Sequence, residues 1–134
     1  MALSEARIAA RLPASDLERA RRWYAEKLAL EPVEERPGGL RYVVGGAEFA
    51  IYQSAGRADG SFTQLAFTVA DIEAEVATLR AHGVVFENYD IPGLETVDGI
   101  AVIDGNYPSE GSGERAAWFR DSEGNMLGMG QPTR

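Results

Sequence analysis

Apolar residues follow two different periods along this chain. They alternate with polar ones through residues 7–12 and again through residues 63–69, the period of two expected of a half-buried strand. After each stretch the period lengthens to that of a helix. Leu17, Ala20, Tyr24 and Leu28 fall on one stripe. Ile72, Val76 and Leu79 fall on another, which ends at Gly83, a residue suited to the left-handed position beyond a helix C-terminus. Ser15 with Glu18 reads as a capping box, and Asp71 as an N-cap with Glu73 and Glu75 in the first turn. Short strands follow at 30–34, 40–44 and 48–52, then at 84–89, 100–104, 116–120 and 126–129. Glycine turns separate the first set, and Asp121 to Asn125 closes the last pair as a hairpin.

The two halves repeat each other. Leu12, Asp16 and Leu17 are matched 55 residues later by Phe67, Asp71 and Ile72. The pattern is β-α-β-β-β twice, which predicts two modules, about residues 5–55 and 62–131, within one domain. A Gly-rich linker at 56–60 joins them. Residues 105–113, with Tyr107-Pro108 and three glycines, read as an inserted loop. Helices set against mainly antiparallel strands give an α+β class.

Composition narrows the chemistry. The 134 residues are 45% apolar and 25% charged, which excludes a disordered or fibrous chain. There is no cysteine and a single histidine, His82. Zinc-thiolate sites, iron–sulfur clusters, thiol nucleophiles and multi-histidine metal sites are thereby excluded within one chain. No apolar run approaches the ~20 residues of a membrane helix, and no signal-peptide pattern opens the sequence, so a cytoplasmic location is expected. Thirteen basic against 21 acidic side chains leave a net charge of −8. That argues against nucleic acid as a partner and favours neutral or cationic ligands.

Specific residues then carry a family resemblance. Asp16-Leu17-Glu18, Ala20, Trp23-Tyr24 and Leu28-Ala29-Leu30 resemble the opening of a vicinal oxygen chelate protein, the superfamily of glyoxalase I, extradiol dioxygenases and the fosfomycin and bleomycin resistance proteins. Ala117 to Leu127 is similar to that family's strand–turn–strand ending. The resemblance implies paired modules curled around a U-shaped cavity with helices outside, and an association of two subunits. It also implies four metal-ligand positions, normally His, Gln or Glu. Here they fall on Ala9, a residue within 50–52, Gln64 and Gly128. One carboxamide does not hold a divalent cation, so no metal and no other cofactor is expected.

Alternation sorts the strand faces. Ile8, Ala10 and Leu12 should face the helices, as should Leu65, Phe67, Val69, Leu127 and Met129. The cavity face then offers Arg11, Tyr52, Gln64, Trp118 and Met126 as candidate ligand-binding residues, with Tyr42, Tyr89 and Tyr107 near the mouth. Aromatics can stack on planar ligands or hold cations, and Arg11 can anchor an anion unless an acid pairs it. Trp23 beside the helix stripe is a candidate subunit contact. Asp90, Glu95 and Asp98 are candidate carboxylates at the mouth, whereas His82, at a helix end, reads as structural. The expected function is binding of a small organic molecule in a metal-free cavity, for sequestration or resistance, by a homodimer. The alternative is a metal-independent isomerase or lyase using a carboxylate or tyrosine base.

Overall fold

The computed structural model describes residues 3–105 and 111–134, so Tyr107 lies outside the described residues. Each half begins with a strand that runs into a helix. Strand β1 (Ala10–Ala14) leads to helix α1 (Leu17–Leu28), and β5 (Thr63–Thr68) leads to α2 (Ile72–Ala81). Between them lie β2 (Glu34–Arg36), β3 (Gly39–Val44) and β4 (Ala47–Gln53). After α2 come β6 (Asp90–Ile91), β7 (Leu94–Val97), β8 (Ile100–Asp104), β9 (Gly113–Arg120) and β10 (Met126–Thr133). Two mixed, open sheets result, ordered β1-β4-β3-β2 and β5-β10-β9-β8-β7-β6. β1 runs parallel to β4 and β5 parallel to β10, and the remaining pairs are antiparallel. Among the described residues no helix is long and apolar enough to cross a membrane.

The repeat is visible in the backbone. Asp16 and Asp71 both sit in extended conformation and accept a hydrogen bond from the amide three residues on, Arg19 at 3.0 Å and Ala74 at 3.1 Å. The first cap is therefore Asp16, not Ser15, whose hydroxyl instead accepts from Arg19 at 3.2 Å. A carboxylate at this position satisfies a free amide and meets the positive end of the helix dipole, so it outcompetes the hydroxyl beside it.

Other expectations shift at the edges. β1 begins at Ala10 rather than Arg7 and continues through Pro13. Proline is tolerated there because β1 is an edge strand, paired on one side only. Ile8 precedes the strand and is 96% exposed, so it does not face a helix. The strand expected at 30–34 forms at 34–36. The one expected at 84–89 reduces to a single bridge, Phe86 to Phe119. Its place is taken by the β6–β7 hairpin, built around a Gly93 turn at φ 83°.

One hydrophobic cluster joins both halves. Leu12, Tyr24, Tyr42, Phe49 and Ile51 from the first pack with Ile72, Val76, Phe119 and Leu127 from the second. Tyr42 is 1% exposed and stacks on Phe49 at 4.9 Å, so it belongs to this core and not to a cavity mouth. Its place follows from alternation with Leu40, which is also buried. Trp23 is half-buried within the chain, edge-on to Tyr24 and stacked on Phe119 at 6.2 Å.

The expected 121–125 hairpin turn is present, but it is buried. Glu123, its side chain 1% exposed, accepts hydrogen bonds from the amides of Ser15 and Asp16 and from Arg19, whose Nε lies 2.8 Å away. Burial alone would raise the Glu123 carboxyl, yet Arg19, Ser122 and the Asp16 amide together hold it below the usual range. A carboxylate with a depressed folded-state value stabilises the fold above the unfolded value, near pH 4.3, and loses that contribution as pH falls through the folded one. Glu123→Gln should therefore cost about 2 kcal/mol at pH 7. Denaturant titrations should show the gap to wild type closing below about pH 4. A gap unchanged between pH 7 and pH 3 would contradict this account.

Candidate functional site

The face of the second sheet opposite α2 carries a groove with a glycine floor. Gly128 of β10 lies opposite Trp118 of β9 and Ala66 of β5, and Gly130 lies opposite Ala116 and Thr68. Thr63, Ala66 and Thr68 form one wall, and Glu114, Ala116 and Trp118 the other. The recess holds about 200 Å³. Side chains at either glycine would fill it. A Cβ at Gly128 would lie 3.4 Å from the indole, and one at Gly130 would collide with the Glu114 carboxylate. A second recess of about 350 Å³ adjoins it across β5, sharing Ala66, Phe67 and Thr68 and reaching Phe49 and Glu48.

Trp118 is half-buried, and Tyr89 meets it edge-on at 5.7 Å, so these two expected residues stand together. Burial, reinforced by Glu87, raises the Tyr89 phenol and keeps it protonated. Gln64 falls where the β5–β10 register steps, between Thr63 opposite Met126 and Leu65 opposite Leu127. Such an irregularity re-aims side chains, and Thr63 rather than Gln64 lines the groove. Met126 is 3% exposed and pairs with Arg120 beyond the groove floor. Arg11 and Tyr52 share a face of the first sheet, next to Ala50 and Pro13, and line no part of this groove. Arg11 forms no ion pair among the described residues.

The carboxylates expected at the mouth lie elsewhere. Glu95 and Asp98 border a cleft of about 680 Å³ between α2 and β7–β8, on the helix side of the sheet. The β6–β7 hairpin, unforeseen in the sequence, carries Glu95 there, and the turn from β7 into β8 carries Asp98. The cations of that cleft are engaged: Arg115 pairs with Glu73 at 2.6 Å, and Arg80 donates to the Asp98 carbonyl at 2.8 Å. His82 caps α2, its Nδ1 3.0 Å from the Lys27 carbonyl, a structural position.

Glu114 is the residue that sequence reading missed. It lies on the groove face of β9, two residues before Ala116 and four before Trp118, so strict alternation from Trp118 identifies it. Its carboxylate rests over Gly130, and no cation among the described residues pairs with it.

The donor set does not suit a divalent cation. The four positions implied for ligands hold Ala9, residues of 50–52, Gln64 and Gly128. Glu114 adds one carboxylate, and among the described residues no three His, Asp or Glu side chains converge. Catalytic metals need at least three protein ligands in a defined geometry.

Comparison with known proteins agrees with this architecture. The model of the Glyoxalase/Bleomycin resistance protein/Dioxygenase superfamily matches residues 6–129. A glyoxalase/bleomycin resistance protein/dioxygenase from Alicyclobacillus acidocaldarius superposes with a TM-score of 0.70 at 14% identity, covering 100% of this chain and 96% of that one. TnmS3, an antibiotic-binding protein of Streptomyces sp. CB03234, gives 0.61 at 24% identity, covering 96% and 98%. The fosfomycin resistance protein FosX of Listeria monocytogenes, as a mutant complexed with Mn(II) and a dihydroxypropylphosphonic acid, gives 0.65 at 11% identity, covering 96% and 93%. No curated protein matched the sequence.

Proposed function

Since the chain belongs to the glyoxalase/bleomycin resistance protein/dioxygenase superfamily, a family with both metalloenzymes and ligand-binding proteins, we propose that it is one of the latter. It binds a small organic molecule in a metal-free cavity, for sequestration or resistance. The observation that carries this reading is the groove itself. Glycines stand where ligand and cavity-filling side chains would project, and an indole faces the space they leave. Recesses lined by aromatic and apolar groups with a few placed polar ones are the usual form of small-molecule sites. The antibiotic-binding neighbour supports the reading by fold alone.

The reading includes a homodimer working in the cytoplasm. Its sheets are open, and β1, β2, β5 and β6 are all edges, which association commonly covers. Light scattering at working concentration should give twice the 14.5 kDa chain mass.

Thermal unfolding tests the function. A panel of planar aromatic drugs should contain members that raise the midpoint saturably. At a hundredfold excess over Kd the gain is about 2.7 kcal/mol, and Trp118→Ala should abolish it. Mn²⁺, Ni²⁺ and Zn²⁺ should give no saturable rise. A metal response reversed by chelator, or no response to any organic compound, would overturn the proposal.

A metal-independent isomerase or lyase is the second reading, and Glu114 favours it. Its carboxylate borders the recess, and no cation among the described residues pairs with it, the placement a general base requires. The tyrosine version is weaker, because burial pushes the phenols of Tyr24, Tyr42 and Tyr89 upward, that of Tyr42 to about 12.

A further inference from the structure

The cleft of about 680 Å³ between α2 and β7–β8 lies on the other side of the second sheet and shares no lining residue with the groove. We propose that it is a separate binding site, for an organic cation with an aliphatic body. The repeat shows how the cleft arises. The first sheet, β1-β4-β3-β2, matches β5-β10-β9-β8 of the second, which leaves the β6–β7 hairpin as an addition of the second half. That addition supplies the far wall through Leu94, Glu95 and Val97. The helix wall differs as well. Glu73, Val76, Ala77 and Arg80 fall at i, i+3, i+4 and i+7, one face of α2, and span about 10 Å along its axis. At the 55-residue offset, Val76 corresponds to Arg21 of α1. Arg21 reaches Glu35 of β2 at 2.7 Å and ties helix to sheet across a recess of about 420 Å³. Val76 makes no such tie, so the second half keeps a wider, apolar trough where the first has an ion pair.

The apolar surface of the trough is bare. Val97 is 76% exposed, Val102 is exposed as well, and Leu94 and Ile100 are half-buried beside them. An apolar recess of this size with a charged rim is suited to holding a small molecule. The rim decides the sign of that molecule. Its two cations are spent, Arg115 on Glu73 and Arg80 on the Asp98 carbonyl and the face of Phe86, 5.5 Å from the ring centroid. The Glu95 and Asp98 carboxylates form no ion pair among the described residues. An alkylammonium lays its chain on the valines and brings its charge to these carboxylates. An alkanoate would add one more unpaired negative charge to the same rim. Both carboxylates are exposed, so the preference for a cation is modest and weakens with salt.

The test titrates hexylammonium, 1-hexanol and hexanoate into the full chain at pH 7.5 and low salt. It follows the methyl resonances of Val97 and Val102, assigned through Val97→Ala and Val102→Ala. Both should shift saturably with hexylammonium, which should bind about fivefold more tightly than hexanol, with hexanoate weakest. Sodium chloride at about 0.5 M should remove most of that preference. Glu95→Gln/Asp98→Asn should bring ammonium and hexanol to within about twofold; asparagine tolerates the left-handed backbone at residue 98, φ 53°. Ala77→Trp fills the trough from an exposed position of α2 and should abolish the shifts for all three probes, with the melting temperature near that of wild type. Glu114→Gln, in the groove, should change none of these affinities. Unmoved Val97 and Val102 resonances at tens of millimolar hexylammonium, equal affinity for ammonium and hexanol, or a preference that survives the double variant would overturn the inference. None of those results bears on the groove, whose ligands are tested through Trp118.

Discussion

Asp121→Ala is expected to destabilise the protein by about 4 kcal/mol, although it changes one residue of a hairpin turn. Asp121 is 7% exposed and accepts four hydrogen bonds. Its Oδ1 takes the amides of Glu123 at 2.8 Å and Asn125 at 3.0 Å. Its Oδ2 takes the Tyr24 hydroxyl at 2.6 Å and the Asn125 side-chain amide at 2.9 Å. Tyr24 and Asn125 are both fully buried, so removing the carboxylate strands donors that water does not reach. Each orphaned donor costs roughly 1–3 kcal/mol. Tyr24→Phe, which removes a donor and leaves Oδ2 still bonded to Asn125, should cost only about 1 kcal/mol. In the double variant Tyr24→Phe/Asp121→Ala the losses should fall short of additive by about 1 kcal/mol, since the stranded hydroxyl is gone. Urea unfolding of the three variants measures this. A loss below about 1 kcal/mol for Asp121→Ala would show that the network carries little net energy.

Phe119→Ala should cost a comparable 3–5 kcal/mol, through packing alone. The ring is 0% exposed and lies where three elements meet. Trp23 of α1 stacks on it at 6.2 Å, Phe86 meets it edge-on at 5.4 Å, and its backbone forms the bridge to Phe86. Truncation leaves a void between an indole and a phenyl ring, neither of which can collapse into it without leaving its rotamer. Val102→Ala on neighbouring β8, at 70% exposure, should change stability by less than about 0.5 kcal/mol. If the two substitutions cost the same, the core assignment of this sheet face would be wrong.

Much of the fold could be read from the sequence, and its failures have particular causes. Helices α1 and α2 were legible because three signals coincide in each: the apolar stripe, a capping carboxylate and the 55-residue repeat. The β6–β7 hairpin was not, since Asp90 to Val97 offers two and four strand residues around Pro92-Gly93, too short a run to show alternation. A phenol suggests contact with water and so a place at the rim, whereas the alternation of Tyr42 with Leu40 places it in the core. The groove was half legible. Trp118, Gly128 and Gly130 follow from strand alternation, whereas Thr63 replaces Gln64 because the register steps between β5 and β10, which no local pattern reveals. Asp121, Glu123 and Asn125 look like any polar turn; their burial depends on residues more than ninety positions away.

That separation also sets the order in which the molecule can be made. Glu123 completes the N-terminus of α1 by accepting from Ser15 and Asp16, and Asn125 donates to the Pro13 carbonyl at 3.0 Å. β10, the last strand in order, is not an edge but lies between β5 and β9. During synthesis the first helix emerges with its cap region unfinished, and β5 and β9 emerge without the strand that separates them. Contacts this distant along the chain slow folding, because loop closure must precede their reward. The glycine floor and the anchor of the first helix therefore both wait on the β9–β10 segment, which is made after every other strand and helix they join.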